Sequence, residues 1–233
     1  MPNFTLASFN ICSAHFREGT YTEDNLSRLG NMIRCSAADV VCLQEVDRGA
    51  LRSERVDMTA WLSEMTGLAH HYFIKIRDFQ GGEYGTAILS RFPILQSETI
   101  NYPVKVATQG TSCGFVVLDV DGSKVTVFNT HLSIENEESN TETLMCLEAV
   151  LREYQAAKNQ PFICCGDFNT SPQKVDRFIP WASLAHNGLI TYADRSIDHI
   201  LYTSPITVSD TRTMDTQYDG TTDHNMVLTN VSV

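Results

Sequence analysis

Short apolar segments separated by polar turns recur along the chain, and this pattern predicts a protein rich in β-strands. The segment from Phe4 to Ile11 predicts the first strand. The apolar run from Asp39 to Glu45 ends on polar residues, as a buried strand does where it reaches the edge of a sheet. Further strands are predicted at residues 71–76, 84–90, 94–102, 115–120, 124–131, 161–165, 197–202, 206–211 and 225–231.

Apolar residues at helical spacing predict helices between some of these strands. Leu26, Leu29 and Ile33 give an apolar face to a helix over 25–38. A second helix is predicted from about residue 54 to 65, with Gly67 as its stop. A third is predicted over 143–157, and its apolar face carries Leu144, Leu147, Leu151 and Tyr154.

Turn signals suggest how these elements are connected. The Asp121-Gly122 pair stands between two predicted strands and predicts a tight hairpin. Hairpins mixed with strand–helix–strand units favour two sheets packed together with helices outside them. Without an internal repeat or a linker, we expect one compact domain over residues 1–233.

Composition narrows the functional classes. With 28 acidic and 17 basic residues the formal net charge is −11, which argues against nucleic-acid binding over the whole surface but is compatible with a locally basic groove. The N-terminus has no basic region followed by a long apolar run, and no apolar stretch has the length of a membrane span. The seven cysteines are an odd number and several lie in strand-like runs. We therefore expect reduced thiols in a cytoplasmic protein.

Polar side chains stand at the carboxyl ends of the apolar strands, where open α/β sheets place their sites. The positions are Asn10, Glu45, Asn129, His131, Asp167, Asn169, Asp198, Asp223 and His224. Several carboxylates brought together would raise their own pKa values, and a divalent cation would remove that penalty. Because oxygen ligands are hard, magnesium fits this set better than zinc, with manganese as the alternative.

Seven motifs in this sequence resemble those of the endonuclease/exonuclease/phosphatase superfamily, in the family's order and over nearly the whole chain. They are Ser8-Phe9-Asn10-Ile11, Leu43-Gln44-Glu45-Val46, Gly82-Glu83-Tyr84-Gly85, Asn129-Thr130-His131-Leu132, Gly166-Asp167-Phe168-Asn169, Ile197-Asp198-His199-Ile200 and Thr222-Asp223-His224-Asn225. The resemblance implies an α/β (α+β) fold, a four-layer sandwich of two packed mixed β-sheets flanked by helices. It also implies hydrolysis of a phosphoester bond by water.

The resemblance assigns one group of residues to the metal and the attacking water. Glu45 looks like the principal metal ligand, with Asn10 beside it and Asp223 also within reach of the ion. Asp167 looks like the residue that orients and activates the water. Asn169 would hold that water or a phosphate oxygen. The implied cofactor is Mg²⁺, with Mn²⁺ as the alternative.

A second group is assigned by the resemblance to the phosphate. His224 looks like the histidine that contacts the scissile phosphate, and Asp198 would fix its ring in the charged form. Asn129 and His131 would bind phosphoryl oxygens from the opposite side. Tyr84 is the candidate for substrate contact. In having His131 at this position, the chain resembles the deoxyribonuclease, sphingomyelinase and phosphatase branches of the family.

One competing motif points to different chemistry. Residues Gly110 to Gly114 fit the Gly-x-Ser-x-Gly pattern of a serine esterase, in which a strand precedes the serine and a helix follows it. Here the following residues are β-branched and run into the predicted hairpin turn, so the context argues against a nucleophile elbow.

The chain departs from the family pattern on the substrate side. Many relatives carry an arginine where this chain has Thr111-Ser112-Cys113-Gly114, and an Arg-x-x-Gln pair that has no clear match on the helix after His131. Our leading hypothesis is a monomeric phosphodiesterase or phosphatase that acts on a compact phosphorylated molecule, nucleotide or lipid headgroup. A DNA or RNA nuclease is the alternative. A binding protein without turnover is disfavoured because every motif carboxylate and histidine is retained.

Overall fold

Two six-stranded sheets form the centre of the computed structural model, which describes residues 2–15, 21–109, 111–185, 188–218 and 220–233. The first sheet has the spatial order β11 (Thr207–Met214), β12 (Met226–Ser232), β1 (Asn3–Asn10), β2 (Val40–Arg48), β4 (Gly82–Ser90) and β3 (His70–Phe79). The second has the order β5 (Ile94–Asn101), β6 (Ser112–Val120), β7 (Ser123–His131), β8 (Phe162–Asp167), β10 (Asp198–Tyr202) and β9 (Ser183–Leu184). The helices are α1 (Glu23–Ser36), α2 (Met58–Thr66), α3 (Glu137–Lys158) and α4 (Pro172–Phe178).

Every strand predicted from the sequence is present, with ends that differ by a few residues. Gly67 ends α2 in a left-handed conformation, as predicted. Helix α3 begins at Glu137, earlier than predicted, because the Asn136 side chain accepts the Ser139 N–H and forms a capping box. Among the α-helices and strands of the described residues, α4 and β9 were not predicted, because they are too short to show a periodic pattern.

Three apolar cores divide the molecule into four layers. Between the sheets, Leu6 and Cys42 from the first pack in the same cluster as Val127 and Ile163 from the second. Helices α1 and α2 cover the outer face of the first sheet, and α3 covers that of the second. Burial of each such aliphatic side chain stabilises the folded state by roughly 1.5–3 kcal/mol relative to leaving it exposed. The predicted four-layer arrangement with mixed sheets is therefore confirmed.

Each sheet contains one parallel strand pair, and the ends of these pairs determine where the polar site residues lie. Strands β1 and β2 are joined through α1, and β7 and β8 through α3. Parallel strands end at the same edge of a sheet, so polar residues that follow them are collected there. The two pairs place Asn10, Glu45, His131 and Asp167 at one end of the sandwich.

The structure around β6 tests two expectations, the Asp121-Gly122 hairpin and the serine-esterase motif. Asp121 and Gly122 have φ of 51° and 87° and join β6 to β7 in register, as a type I′ turn requires. Ser112 begins β6, is fully buried, and donates its hydroxyl to the Lys75 carbonyl at 3.0 Å. A strand follows this serine, so a nucleophile elbow is not formed; Gly110 lies outside the described residues.

The seven cysteines of the chain are free thiols, as predicted. In the described part of the chain, no helix combines the length and apolar character that crossing a bilayer requires.

Candidate active site

The ends of the two parallel strand pairs open into one cleft of about 310 Å³. Seven of the predicted site residues line it, namely Glu45, Tyr84, His131, Asp167, Asn169, Asp223 and His224. Three others, Asn10, Asn129 and Asp198, are fully buried and do not line the cleft. Asn10 and Asp198 nevertheless hydrogen-bond to residues of the cleft, whereas Asn129 bonds elsewhere.

Glu45 reaches the cleft through a β-bulge in β2. The pairing register with β4 shifts between Leu43 and Val46, which gives β2 an extra residue at this point. Glu45 itself has a left-handed φ of 57°. Such a conformation in a non-glycine residue costs about 1–3 kcal/mol. Because a bulge redirects side chains, the strain lies at the residue whose carboxylate faces the cleft.

The side-chain amide of Asn10 connects the two sheets at the site. Its Nδ2 donates to Glu45 Oε1 and to Asp167 Oδ2, both at 3.1 Å. Its Oδ1 accepts the backbone N–H of Cys12 at 3.0 Å. Since Glu45 belongs to the first sheet and Asp167 to the second, Asn10 sets the separation of two carboxylates that would otherwise repel each other.

Asp167 ends β8, directly opposite His131 of β7. Gly166 precedes it, and a Cβ atom at that position would collide with the Thr130 backbone carbonyl. Glycine therefore allows the close strand approach that brings Asp167 beside His131. After the strand, the Asn169 side chain donates to the Leu132 carbonyl at 3.0 Å, which ties this turn to β7.

The Asp167 carboxylate is almost completely buried between two imidazoles. Its Oδ2 lies 3.6 Å from His131 Nε2 and 3.7 Å from His224 Nε2, and its Oδ1 accepts the Asn169 N–H at 2.9 Å. Burial, followed by the charge of Asp198, raises the pKa of Asp167 against the opposing effect of the two histidines. A carboxylate with a raised pKa is a better proton acceptor than an ordinary aspartate.

His224 is held from behind by Asp198. His224 Nδ1 lies 2.9 Å from Asp198 Oδ2, and the Tyr192 ring packs against the imidazole with centroids 4.8 Å apart. Burial alone would lower the pKa of His224, but the carboxylates of Asp198, Asp167 and Asp223 raise it to about 9. The ring is therefore charged at neutral pH, and its Nε2 proton faces Asp167 and Asp223.

The segment that carries Asp223 is fastened to the end of β1. Thr222 donates its hydroxyl to the Asn10 carbonyl at 2.8 Å and accepts the His224 N–H at 3.1 Å. Asp223 Oδ1 accepts the Cys12 thiol at 2.9 Å. Burial, then the charges of Glu45 and Asp223, raises the pKa of Cys12 well above its ordinary value, so Cys12 is a neutral donor. Sequence reasoning missed Cys12, because no motif marks it.

Asn129 does not reach the cleft, which differs from the expected contact with phosphoryl oxygens. Its Nδ2 donates to the backbone carbonyls of Leu43 at 2.9 Å and Ala87 at 2.8 Å. Its Oδ1 accepts the Gln44 side-chain amide at 2.8 Å. Both donor hydrogens are thus used between the sheets. The arrangement makes Asn129 a buried connection from β7 to β2 and β4.

Tyr84, the candidate for substrate contact, lines the cleft together with cationic and aromatic residues that sequence reasoning missed. The Arg77 guanidinium lies 5.1 Å from the Tyr84 ring centroid. On another part of the lining, the Arg195 guanidinium lies 4.7 Å from the Tyr192 ring centroid. These residues fall outside the family motifs, and only the packing of separate strands and loops brings them to the site.

The side chains at the cleft fit a hard divalent cation. Ligand atoms of Asp167, Asp198 and His224 lie within 4.8 Å of one another. Asp198 is already bonded to the His224 ring, and a charged imidazole has no lone pair for a metal. The cleft carboxylates of Glu45, Asp167 and Asp223 are the better oxygen donors. A cation there would also offset the cost of burying these acids together.

Comparison with known proteins agrees with this fold. The Endonuclease/Exonuclease/phosphatase family model matches residues 7–224. The uncharacterized protein YbhP of Escherichia coli K12 is 26% identical over 185 residues, which cover 72% of this chain and 70% of YbhP. An endonuclease/exonuclease/phosphatase structure from Beutenbergia cavernae matches with a TM-score of 0.78 at 21% identity, over 100% of this chain and 72% of that one. The mannosyl-6-phosphatase Bt3783 of Bacteroides thetaiotaomicron matches at 0.74 and 16% identity, over 99% of this chain and 100% of that one.

Proposed function

The chain belongs to the endonuclease/exonuclease/phosphatase family, and from this premise we propose that it is a divalent-metal-dependent hydrolase of a phosphoester bond. One observation carries the proposal: the Asp167 carboxylate lies 3.7 Å from Nε2 of a charged His224 inside a small cleft. A proton acceptor and a cationic donor are thus placed side by side, as water attack on a phosphate requires.

Asp167 orients the attacking water and accepts its proton in this proposal. Its Oδ1 accepts the Asn169 N–H. Its Oδ2 accepts the Asn10 amide and is the oxygen that lies near His131 and His224. The raised pKa of Asp167 suits a group that takes a proton during the reaction. Asn169, on the same turn, contacts the water or a phosphoryl oxygen.

His224 donates a hydrogen bond from Nε2–H to a phosphoryl oxygen and stabilises the charge that develops there. Asp198 keeps Nδ1 engaged, so the ring presents the other nitrogen. His131 contributes a second donor from the opposite side of Asp167. Removing one donor of this kind typically lowers turnover by about 10²–10³-fold.

Glu45 and Asp223 would hold a magnesium or manganese ion, which when bound neutralises charge on the phosphoryl oxygens. Asn10 acts by positioning the Glu45 and Asp167 carboxylates, since its Nδ2 bonds both. Cys12 fixes Asp223 by donating to Oδ1. The neutral donors of Asn10 and Cys12 therefore fix the positions of the carboxylates before a metal binds.

The cleft favours a compact phosphorylated molecule or lipid headgroup as the substrate. Its volume of about 310 Å³ is at the small end of ligand sites. The net charge of −11 opposes the electrostatic attraction that nucleic-acid binding depends on, which makes a nuclease the second candidate. Bt3783 is a phosphatase by its name, and the same fold is thus compatible with small phosphorylated substrates.

A hydrolysis screen tests the proposal directly. The purified protein is incubated with bis(p-nitrophenyl) phosphate, p-nitrophenyl phosphate, nucleotides, phospholipid headgroups and plasmid DNA, with magnesium and with chelator. We expect magnesium-dependent release of product from a small phosphoester. Cleavage of plasmid DNA alone would favour the nuclease, and no turnover of any phosphoester would remove the proposed function.

A further inference from the structure

Two glutamates hold the loop of residues 105–109 beside the cleft. Glu142 accepts the backbone N–H groups of residues 105–107, at 2.6 to 3.0 Å. Glu135 accepts the next two, from Thr108 at 3.1 Å and Gln109 at 2.8 Å, and also the Thr108 hydroxyl at 3.1 Å. Successive N–H groups that point to one side form a typical anion-binding arrangement.

The two glutamates differ in what surrounds them. Glu135 lines the cleft together with Asp167 and His224, whereas Glu142 belongs to α3 and lines a separate groove. Only Glu135 therefore has its carboxylate at a place that a substrate in the cleft can reach. Glu142 would keep the loop attached to α3 if Glu135 moved away.

Arg77 adds a cation to the lining of the same cleft as Glu135. Arg77 donates from Nη1 to the Gln109 side-chain oxygen at 2.9 Å, and its guanidinium packs over the rings of Phe79 and Tyr84 at 5.1 Å from each centroid. Its Nε is buried without a hydrogen-bond partner in the described part of the chain. No carboxylate among the described residues lies within ion-pair distance of Arg77.

These observations describe donors arranged for a negative charge and filled by the protein's own carboxylate. The backbone N–H of Thr108, then those of Gln109 and the charge of Arg77, lower the pKa of Glu135 although burial opposes them. The position therefore stabilises an anion, and a phosphate presents more acceptor oxygens to it than a carboxylate does.

We propose that the donors of Thr108 and Gln109, with the Arg77 guanidinium, form a second anion position of the substrate site, which Glu135 occupies until a second phosphate of the substrate replaces it. The inference rests on the proposed function and deepens it. The substrate is then a small phosphoester with two phosphates. The scissile phosphate lies by Asp167 and His224, and the other lies at the mouth of the cleft.

Binding measurements on a turnover-blocked protein test this position separately from catalysis. In an Asp167→Asn background with magnesium, calorimetry compares fructose 1,6-bisphosphate with fructose 6-phosphate, and pyrophosphate with phosphate. We expect at least one two-phosphate ligand to bind about tenfold tighter than its single-phosphate partner, as one charge-assisted contact allows. Arg77→Gln should abolish that preference.

Glu135→Gln and Glu142→Gln form a matched pair, because both keep an oxygen that can accept backbone N–H groups. Glu135→Gln should strengthen two-phosphate binding several-fold by removing the competing charge, and Glu142→Gln should leave the preference unchanged. The proposal is overturned if neither two-phosphate ligand is preferred, or if the two substitutions have equal effects. A preference without any wild-type hydrolysis would leave the anion position intact and remove the phosphoesterase.

Discussion

Nδ1 of His224 lies 2.9 Å from Oδ2 of Asp198, and both side chains are buried. This contact leaves only Nε2 of the ring for chemistry and favours the charged imidazole. A buried cation next to several acids stabilises the fold, and in the proposed function it also stabilises the charge on the phosphate.

Replacing Asp198 with asparagine should lower the pKa of His224 from its value of about 9. The substitution removes the nearest negative charge but keeps an oxygen that can accept from Nδ1. NMR titration of the imidazole protons in wild type and D198N measures the change. Each unit of the decrease corresponds to about 1.36 kcal/mol of lost preference for the charged ring. An unchanged pKa in a folded D198N variant would contradict the role given to this carboxylate.

The stability of the fold should depend on the same charge. Because the pKa of His224 is raised on folding to about 9, its contribution is fully present below about pH 6.5 and is lost as the pH rises through 9. Urea unfolding of wild type and His224→Gln at several pH values isolates this contribution. The difference between them should shrink by up to about 3 kcal/mol from pH 6 to pH 10. If the difference in unfolding free energy grew with pH, the charged form of His224 would not be the stabilising one.

Asn129→Ala should mainly lower the free energy of unfolding and should have little direct effect on substrate binding. The change removes the side-chain donor to two buried carbonyls, of Leu43 and Ala87, and one of the acceptors of the Gln44 amide. Each orphaned buried group costs about 1–3 kcal/mol, so a total loss of about 3 kcal/mol or more is expected. Asn230→Ala, at an exposed position of β12, is the control and should change stability by less than about 0.5 kcal/mol. Full stability with a large rise in KM would instead support the phosphate contact first expected for Asn129.

Metal binding should be visible without any substrate. If the proposed function is correct, magnesium binds the folded cleft and not the unfolded chain, so it should raise the melting temperature in a concentration-dependent way. Glu45→Gln should require a higher magnesium concentration for the same increase, because one ligand charge is lost. Glu64→Gln, on the exposed side of α2, is the control and should behave like wild type. Equal magnesium responses in all three proteins would remove Glu45 from the metal site.

Local sequence patterns predicted the strands well because each strand's apolar residues face a core that the same residues build. The Asp121-Gly122 turn was predictable for a similar reason, since positive φ at both residues suits a two-residue hairpin. The motif residues were recognisable because the chemistry restricts which side chains can stand at the strand ends.

Features that depend on contacts between distant segments were not predictable. The direction of the Asn129 side chain is set by β2 and β4, and its motif position alone suggested the cleft instead. Arg77 and Tyr192 reach the site from segments without a motif. The left-handed Glu45 arises from a register shift between two strands, which no local pattern reveals.

The most direct test of the central claim is the rate of bis(p-nitrophenyl) phosphate or p-nitrophenyl phosphate hydrolysis by wild type, Asp167→Asn and His224→Ala, with magnesium and with chelator. We predict magnesium-dependent turnover by wild type and a loss of about 10²–10³-fold or more in each variant, with circular dichroism and melting curves showing a retained fold. Near-wild-type rates in a folded Asp167→Asn or His224→Ala protein would contradict the assignment of this cleft as a phosphoesterase site.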